Sequence, residues 1–422
     1  MFWLITHIIK IKARNDGYTI LKMEETNMEL ESLTDDVTVS RTSVILNNGE
    51  RIKVYEEWKE TIFIGNNSKK MKKVQLVMMD SPTKYEITIQ PECAILKKDE
   101  MCEFEITVKP LCTCKIEDQL TIIATSLKEQ TNIPLILYFA FETEISTRLD
   151  PDTLTYQRKL GEGSFGIVYL GVFKNNLVAI KKMKSIENNL HSINEFEKEV
   201  AMLDKFRCEY IIHFYGALFM KDNYCIVTEY ASYGSIKNLI ANEYSPSIQM
   251  KIKLLLDSSK GIEYLHENGI LHRDIKPDNL LVLSLDEHVS VNCKLNDFGS
   301  ARNINMMMTN MTFTKGIGTP KYMAPEILNK EKYKKPSDIY AFAITMLEVM
   351  IWNDAFPKML FKYVWDIADT IANGKRQNTI ELIEERNVKQ LIESCWCQKP
   401  NERLIIYDVV SMLETILLKL NN

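Results

Sequence analysis

Residues 272–279 read His-Arg-Asp-Ile-Lys-Pro-Asp-Asn, residues 297–299 read Asp-Phe-Gly, and residues 324–326 read Ala-Pro-Glu. Upstream of them, residues 159–172 read Lys-Leu-Gly-Glu-Gly-Ser-Phe-Gly-Ile-Val-Tyr-Leu-Gly-Val. A G-x-G-x-x-G run such as Gly161, Gly163 and Gly166 also opens dinucleotide-binding folds, where it passes into a helix. Here β-branched Ile167-Val168, followed by Gly171, predicts a strand and therefore a hairpin. Glycine permits close backbone approach, so such a hairpin suits phosphates, with Ser164 and Phe165 at its tip.

Residues 178–181 are Val-Ala-Ile-Lys. A lysine ending an apolar strand is costly to bury unpaired, so Lys181 needs anionic partners. Nucleotide phosphates and one acidic side chain would satisfy it. The next segment, about Ser192 to Phe206, places Phe196, Val200, Leu203 and Phe206 on one helical face. Glu199 lies at the edge of that face, with Glu195 and Glu197 as rivals for the lysine.

These motifs in this order resemble the eukaryotic protein kinases, over about Thr155 to Ile416. The resemblance implies a two-lobed α+β fold, ATP and Mg2+ as cofactors, and protein substrates. It favours Glu199 as the partner of Lys181, from the E-V-x-x-L context. Phosphoryl transfer requires charge neutralisation and alignment more than covalent chemistry. Asp297 and Asn279 are hard oxygen ligands suited to magnesium. Asp274 is placed to accept the proton of an attacking hydroxyl, and Lys276 to steady the transferring phosphate. Val168, Ala179 and Leu281 match the walls around adenine. Thr228 matches the gatekeeper, and Glu229 to Ala231 the hinge. Glu326 is expected to pair with Arg403, and Asp338 to hold the catalytic loop. Leu203, Phe214, His272 and Phe298 match the residues stacked between the lobes.

Lys276 together with Gly318-Thr319-Pro320 resembles the serine/threonine enzymes, within the tyrosine-kinase-like group. The whole is similar to the cytoplasmic portions of amoebal transmembrane kinases. A scaffold that keeps the fold without turnover, or a dual-specificity kinase, are the alternatives. Arg273 beside Asp274 calls for an anion, which a phosphorylated activation loop supplies. That loop holds Ser300, Thr309, Thr312, Thr314 and Thr319, of which Thr312 and Thr314 are the candidate phosphosites.

Residues 36–145 read differently. Tyr85-Glu86-Ile87-Thr88-Ile89 and Phe104-Glu105-Ile106-Thr107-Val108 alternate as half-buried strands, and Ile133 to Phe141 continues the period of two. Asn47-Asn48-Gly49, Ser81-Pro82, Pro91 and Pro110 punctuate them as turns. The pattern predicts an antiparallel sandwich resembling the immunoglobulin-like domains related to the major sperm protein. Its role is either to dock a protein partner or to act as a spacer. Cys112-x-Cys114 has no second Cys/His pair nearby, which favours free thiols over zinc. Residues 146–154 read as a polar linker.

Residues 1–35 read as an apolar stub and basic linker. Phe2 to Ile9 is shorter than the ~20 apolar residues of a spanning helix, and its charges Lys10, Lys12 and Arg14 follow it, unlike those of a signal peptide. It reads either as the last turns of a membrane helix whose start is missing, or as an ordinary apolar N-terminus. The 422 residues carry 52 Lys+Arg against 57 Asp+Glu, for a net charge of −5, which argues against a nucleic-acid partner. Nine cysteines in so long a chain indicate reduced thiols and a cytoplasmic location, either free or at the cytoplasmic face of a membrane.

Overall fold

The computed structural model describes residues 18–127, 132–163, 166–184, 190–220, 223–242, 245–299, 301–303, 320–357, 359, 361 and 363–421. The chain divides into two compact units, Met1–Thr155 with Gly216–Cys225, and Tyr156–Tyr215 with Ile226–Asn422. Among the described residues no helix is long and apolar enough to cross a membrane. Phe2 to Ile9 lies outside the described residues.

In the first unit, alternation along Glu100–Pro110 buries Phe104, Ile106 and Val108 completely. This strand pairs antiparallel with Trp58–Asn66 on one side, and with Ile20–Lys22 and Tyr85–Gln90 on the other. A second sheet joins Lys115–Ser126 to Asn132–Glu142 and Lys72–Val77, and Ser43–Ile45 runs parallel to Asn132–Glu142. Both sheets contribute to one core: Ile62, Ile64 and Phe104 from the first, Leu120, Ile122, Leu137 and Phe139 from the second. Each such side chain contributes about 1.5–3 kcal/mol through its removal from water. Tyr85, Phe139 and Phe141 cluster with centroids 5.3–5.9 Å apart, the Tyr85 hydroxyl donating to Asp118 Oδ2.

The first sheet begins earlier than residue 36. Ile20 stands opposite Cys102, and Glu31–Ser32 pairs with Val37–Val39, inside the stretch read as stub and linker. Strands of two or three residues are too short to display a period, so alternation could not reveal them.

The second unit carries the strands Gly166–Phe173 and Asn176–Met183, paired so that Val168 faces Lys181 and Leu170 faces Ala179. The helix Leu190–Leu203 follows. Ser247 caps Ile248–Glu267 by accepting from the Met250 N–H at 3.0 Å. The helix Lys335–Ile351 is buried at every residue from Ser337 to Met350, and its polar members Ser337, Asp338, Thr345 and Glu348 are each hydrogen-bonded. Two short strands, Leu280–Val282 and Cys293–Leu295, form the hairpin that positions the site.

Candidate active site

The hairpin register places Leu280 opposite Leu295. Asn279, just before one strand, therefore lies beside Asn296 and Asp297, just after the other. The Asn296 N–H donates to the Asn279 carbonyl at 2.9 Å. Asp257 secures the same hairpin from the helix Ile248–Glu267, accepting from Asn292 N–H at 2.7 Å and Cys293 N–H at 3.2 Å.

Around Asp274 the side chains converge. Lys276 Nζ donates to Asp274 Oδ2 at 2.7 Å. Asn279 Nδ2 donates to the Asp274 carbonyl at 2.7 Å and to its Oδ2 at 2.9 Å. With its NH2 turned toward Asp274, Asn279 retains its amide oxygen as the atom available to a hard cation.

Lys181 stands 3.0 Å from Glu199 Oε1 and 3.5 Å from Asp297 Oδ1. The Glu195 side chain lies outside the described residues. Burial pushes the Lys181 ammonium down, but the charges of Glu199 and Asp297 outweigh it and hold the amine above its ordinary value. For Asp297 burial works upward, and the charge on Lys181 with help from His272 and the Gly299 N–H brings the carboxyl below its usual range. Both groups are therefore ionised at neutral pH, a cation held between two carboxylates.

The backbone at this site is strained. Arg273 has φ 71° and Asp297 φ 63°, left-handed conformations costing about 1–2 kcal/mol each for residues with a Cβ. The surroundings that impose them are visible. Asp338, fully buried, accepts from the N–H of His272 at 3.1 Å and of Arg273 at 2.9 Å. It also meets His266 Nε2 at 2.9 Å and the Tyr333 hydroxyl at 2.7 Å. Burial raises its carboxyl, and these hydrogen bonds, His266 foremost, reverse that to a net lowering. His272 accepts the Asp274 N–H at Nδ1 and so donates from Nε2 to the Asn296 carbonyl at 3.0 Å. The guanidinium of Arg273 faces the Tyr333 ring, 5.4 Å from its centroid.

Glu326 and Arg403 form a two-pronged pair at 2.7 and 2.8 Å, both residues buried, with Ser337 Oγ donating to Glu326 at 2.8 Å. Phe298 is buried against His272, with centroids 5.2 Å apart. Leu203 is buried and Phe214 half-buried.

The glycines divide into two kinds. A Cβ on Gly166 would lie 2.4 Å from the Lys182 carbonyl oxygen, so strand packing alone excludes a side chain there. A Cβ on Gly161 or Gly163 would meet nothing within 4 Å. Those two positions leave space open above the strands, as close approach of phosphates requires. Ala231 is buried, while Val168, Ala179, Thr228 and Leu281 are half-buried. Glu229 is held by Lys294 Nζ at 2.7 Å, and its N–H donates to the His213 carbonyl at 2.9 Å.

Ser164, Phe165, Ser300, Thr309, Thr312, Thr314 and Thr319 lie outside the described residues. Sequence reasoning missed His266 and Tyr333 as partners of Asp338, Lys294 on Glu229, and Phe206, whose ring lies 4.7 Å from Phe298. Only Phe206 gave a signal, as the last apolar residue of the periodic face.

The geometry suits a magnesium–nucleotide ligand: Asp297 and the Asn279 amide offer two oxygens, magnesium takes its other ligands from phosphates and water, and Lys181 supplies positive charge. Among the described residues no group of three or more His, Cys, Asp or Glu side chains is placed to hold a metal ion by itself.

The family model for the protein kinase domain matches residues 154–413. "Probable serine/threonine-protein kinase gdt4" of Dictyostelium discoideum is 30% identical over 307 residues, covering 72% of this chain and 18% of its own length. This match is longer than the kinase domain and all that follows it, so it takes in part of the β-rich region. "Serine/threonine-protein kinase STY17" of Arabidopsis thaliana is 31% identical over 272 residues, 64% of this chain and 45% of its own. R818 of Acanthamoeba polyphaga mimivirus, named as a serine/threonine-protein kinase/receptor, is 36% identical over 268 residues, 63% of this chain and 15% of its own. The chain thus spans about a fifth of the length of the Dictyostelium relative.

Proposed function

Since this chain belongs to the eukaryotic protein kinase superfamily, we propose that it transfers the γ-phosphate of ATP to serine and threonine hydroxyls of protein substrates. The observation that carries this reading is the convergence of two groups of side chains. Lys181 lies between Glu199 and Asp297, and Lys276 and Asn279 close on Asp274.

In the reaction, Asp274 orients the attacking hydroxyl and takes its proton. Lys276, already hydrogen-bonded to Asp274, places a positive charge beside the oxygens of the transferring γ-phosphate and steadies it as the hydroxyl attacks phosphorus. Lys181 holds phosphate oxygens, with Glu199 fixing the ammonium so that the alignment costs little rearrangement. Gly161 and Gly163 admit the phosphates to the backbone, and Asp297 with Asn279 holds the magnesium. Bound magnesium supplies neutralisation of phosphate charge and a template for alignment.

The choice of serine/threonine over tyrosine rests on Lys276, on the Gly318-Thr319-Pro320 sequence and on the names of the relatives. Activation follows phosphorylation at Thr312 or Thr314, the reading supported by Arg273 preceding Asp274. We read the first unit as an immunoglobulin-like sandwich, on the strength of its two sheets around one core, with either docking of a protein partner or spacing as its role.

Purified protein is incubated with γ-labelled ATP, magnesium and a generic basic protein. Label enters the basic protein with the wild type and not with Asp274→Asn. Equal silence from both would favour a scaffold without turnover.

A further inference from the structure

The kinase domain at residues 154–413 takes in residues 216–225, yet these residues group with the first unit. They belong to two neighbouring strands of one sheet, Phe214–Met220 and Asn223–Glu229. What ties them to the first unit is the stretch whose sequence reads as a polar linker. The Ala217 N–H donates to the Thr147 carbonyl at 2.7 Å, and the Leu149 N–H donates to the Ala217 carbonyl at 3.0 Å. This is a parallel pairing on the outer side of the sheet's last strand, with Leu149 and Ala217 both buried. A Cβ on Gly216 would lie 2.5 Å from the Thr147 carbonyl oxygen, so the two backbones approach as closely as glycine allows.

The same stretch is fastened to the sandwich. The Thr113 N–H donates to the Arg148 carbonyl at 2.8 Å, and Thr113 Oγ1 accepts the Ser146 N–H at 3.0 Å. Lys84 Nζ reaches Asp150 Oδ2 at 2.8 Å, and Met220 packs against the sandwich core. Arg148 is the centre of the arrangement. Its guanidinium lies 4.0 Å from the ring centroid of Tyr55 and 3.8 Å from that of Phe219. These distances fit one ring on each face of the planar group. Tyr55 is held at φ 71°, a left-handed conformation unusual for an aromatic residue, with its N–H donating to the Pro110 carbonyl at 2.8 Å. Residues 216–225 therefore cannot shift against the sandwich without loss of two backbone hydrogen bonds and two ring contacts.

We propose that Arg148 is a positioning residue for nucleotide binding: clamped by Tyr55 and Phe219, it holds residues 216–225 to the sandwich and so sets where the strand Asn223–Glu229 presents Thr228 and the hinge after it. The second half rests on the reading of Thr228 to Ala231 as the residues that face adenine. The strand passes without interruption from Cys225 into Ile226, Val227 and Thr228, so a displacement at its start is carried along it. Lys181, Asp274 and Asp297 stand on other strands and loops, so loosening the clamp weakens ATP binding and leaves the transfer step intact. This role differs from both docking and spacing, because it makes the sandwich a part of what the nucleotide site needs.

The test compares the full wild-type chain with Arg148→Ala, Arg148→Lys and Tyr55→Asn. Tyr55 is exposed, and asparagine tolerates its left-handed backbone, so the last variant removes one ring without disturbing the fold. In Arg148→Ala, amide hydrogen exchange at Leu149 and Ala217 is expected to rise about tenfold, equivalent to about 1.4 kcal/mol, which stacking on two rings supplies. Tyr55→Asn, with one ring left, raises it about threefold. KM for ATP rises about fivefold in Arg148→Ala, the low end of coupling between sites, while kcat stays within about twofold. Arg148→Lys, which keeps the charge but not the planar group, recovers part of both changes. Binding of ATP with magnesium, measured without a protein substrate, gives the same ranking. Unchanged exchange in Arg148→Ala and Tyr55→Asn overturns the clamp. Faster exchange with unchanged KM and ATP affinity, or a fall in kcat alone, overturns the positioning role. A wild type that binds ATP but transfers no phosphate overturns the kinase reading, and the binding comparison still decides the positioning role. A wild type that binds no ATP overturns both of these, and exchange still decides the clamp. Tyr55→Asn decides each point if Arg148→Ala does not fold.

Discussion

Replacing Asp338 with asparagine removes one acceptor oxygen from a carboxylate that serves four donors. Oδ1 faces the Arg273 N–H and the Tyr333 hydroxyl, and Oδ2 faces the His272 N–H and His266 Nε2. Whichever way the asparagine turns, its NH2 confronts one adaptable partner and one that cannot adapt. The tyrosine hydroxyl can rotate and the histidine can change tautomer, but a backbone N–H remains a donor. One catalytic-loop N–H is therefore left buried and unsatisfied, at a cost of about 1–3 kcal/mol. The lost charge adds roughly another 1 kcal/mol, because hydrogen bonds to charged groups are worth ~1.5–3 kcal/mol against ~1 for neutral ones. Asp338→Asn is thus expected to lose about 2–4 kcal/mol, which lowers Tm by roughly 4–16 °C for a domain of this size. Since Arg273 and His272 flank Asp274, kcat falls more than KM rises. Thermal denaturation and steady-state kinetics on the same preparations measure both. An asparagine variant within about 0.5 kcal/mol of wild type and with unchanged kcat would refute the reasoning, since ordinary surface changes lie in that range.

Other outcomes follow from the same geometry. Gly166→Ala forces a Cβ against the Lys182 carbonyl and lowers stability by about 1–3 kcal/mol, whereas Gly161→Ala leaves Tm unchanged and raises KM for ATP; equal effects in melting and kinetics would contradict the division. Lys181→Met reduces kcat/KM by about 100-fold or more, as loss of a preorganised charge does, and Glu199→Gln reduces it by less, read in a steady-state assay; a Lys181→Met variant of normal activity rules out the phosphate clamp. Burial raises the Glu326 carboxyl, but its bonds to Arg403 bring it below its ordinary value, so its stabilisation is complete above about pH 4.5 and is lost as pH falls through the lower folded value. Melting curves of wild type and Glu326→Gln should therefore converge as the pH drops below that point, and a constant gap would refute the pairing. Phe206→Ala, which removes the ring beside Phe298, costs about 3–5 kcal/mol in denaturant unfolding.

The residues proposed for the catalytic centre could be picked out from the sequence because each is constrained locally as well as chemically, and the structure brings their side chains together. Asp274, Lys276 and Asn279 sit within one short loop, and Lys181 ends an apolar strand, so a single stretch of sequence announces each. The pairing of Glu326 with Arg403 was readable only through family resemblance, because 77 residues separate them. The partners that hold Asp338 were illegible for a different reason. His266 closes an amphipathic helix and Tyr333 lies in a loop, and nothing in either segment signals a shared buried carboxylate. In the first unit, Phe104, Ile106 and Val108 declared their strand by alternation. Ile20–Lys22 did not, because its place in the sheet depends on an exposed edge of Glu100–Pro110 formed only in the tertiary fold.

The most direct test of the account is phosphoamino-acid analysis of a generic basic protein after incubation with the full chain, magnesium and γ-labelled ATP. Label is expected in phosphoserine and phosphothreonine, present with wild type and lost with Asp274→Asn. Label in phosphotyrosine alone, or none with wild-type protein, would contradict it.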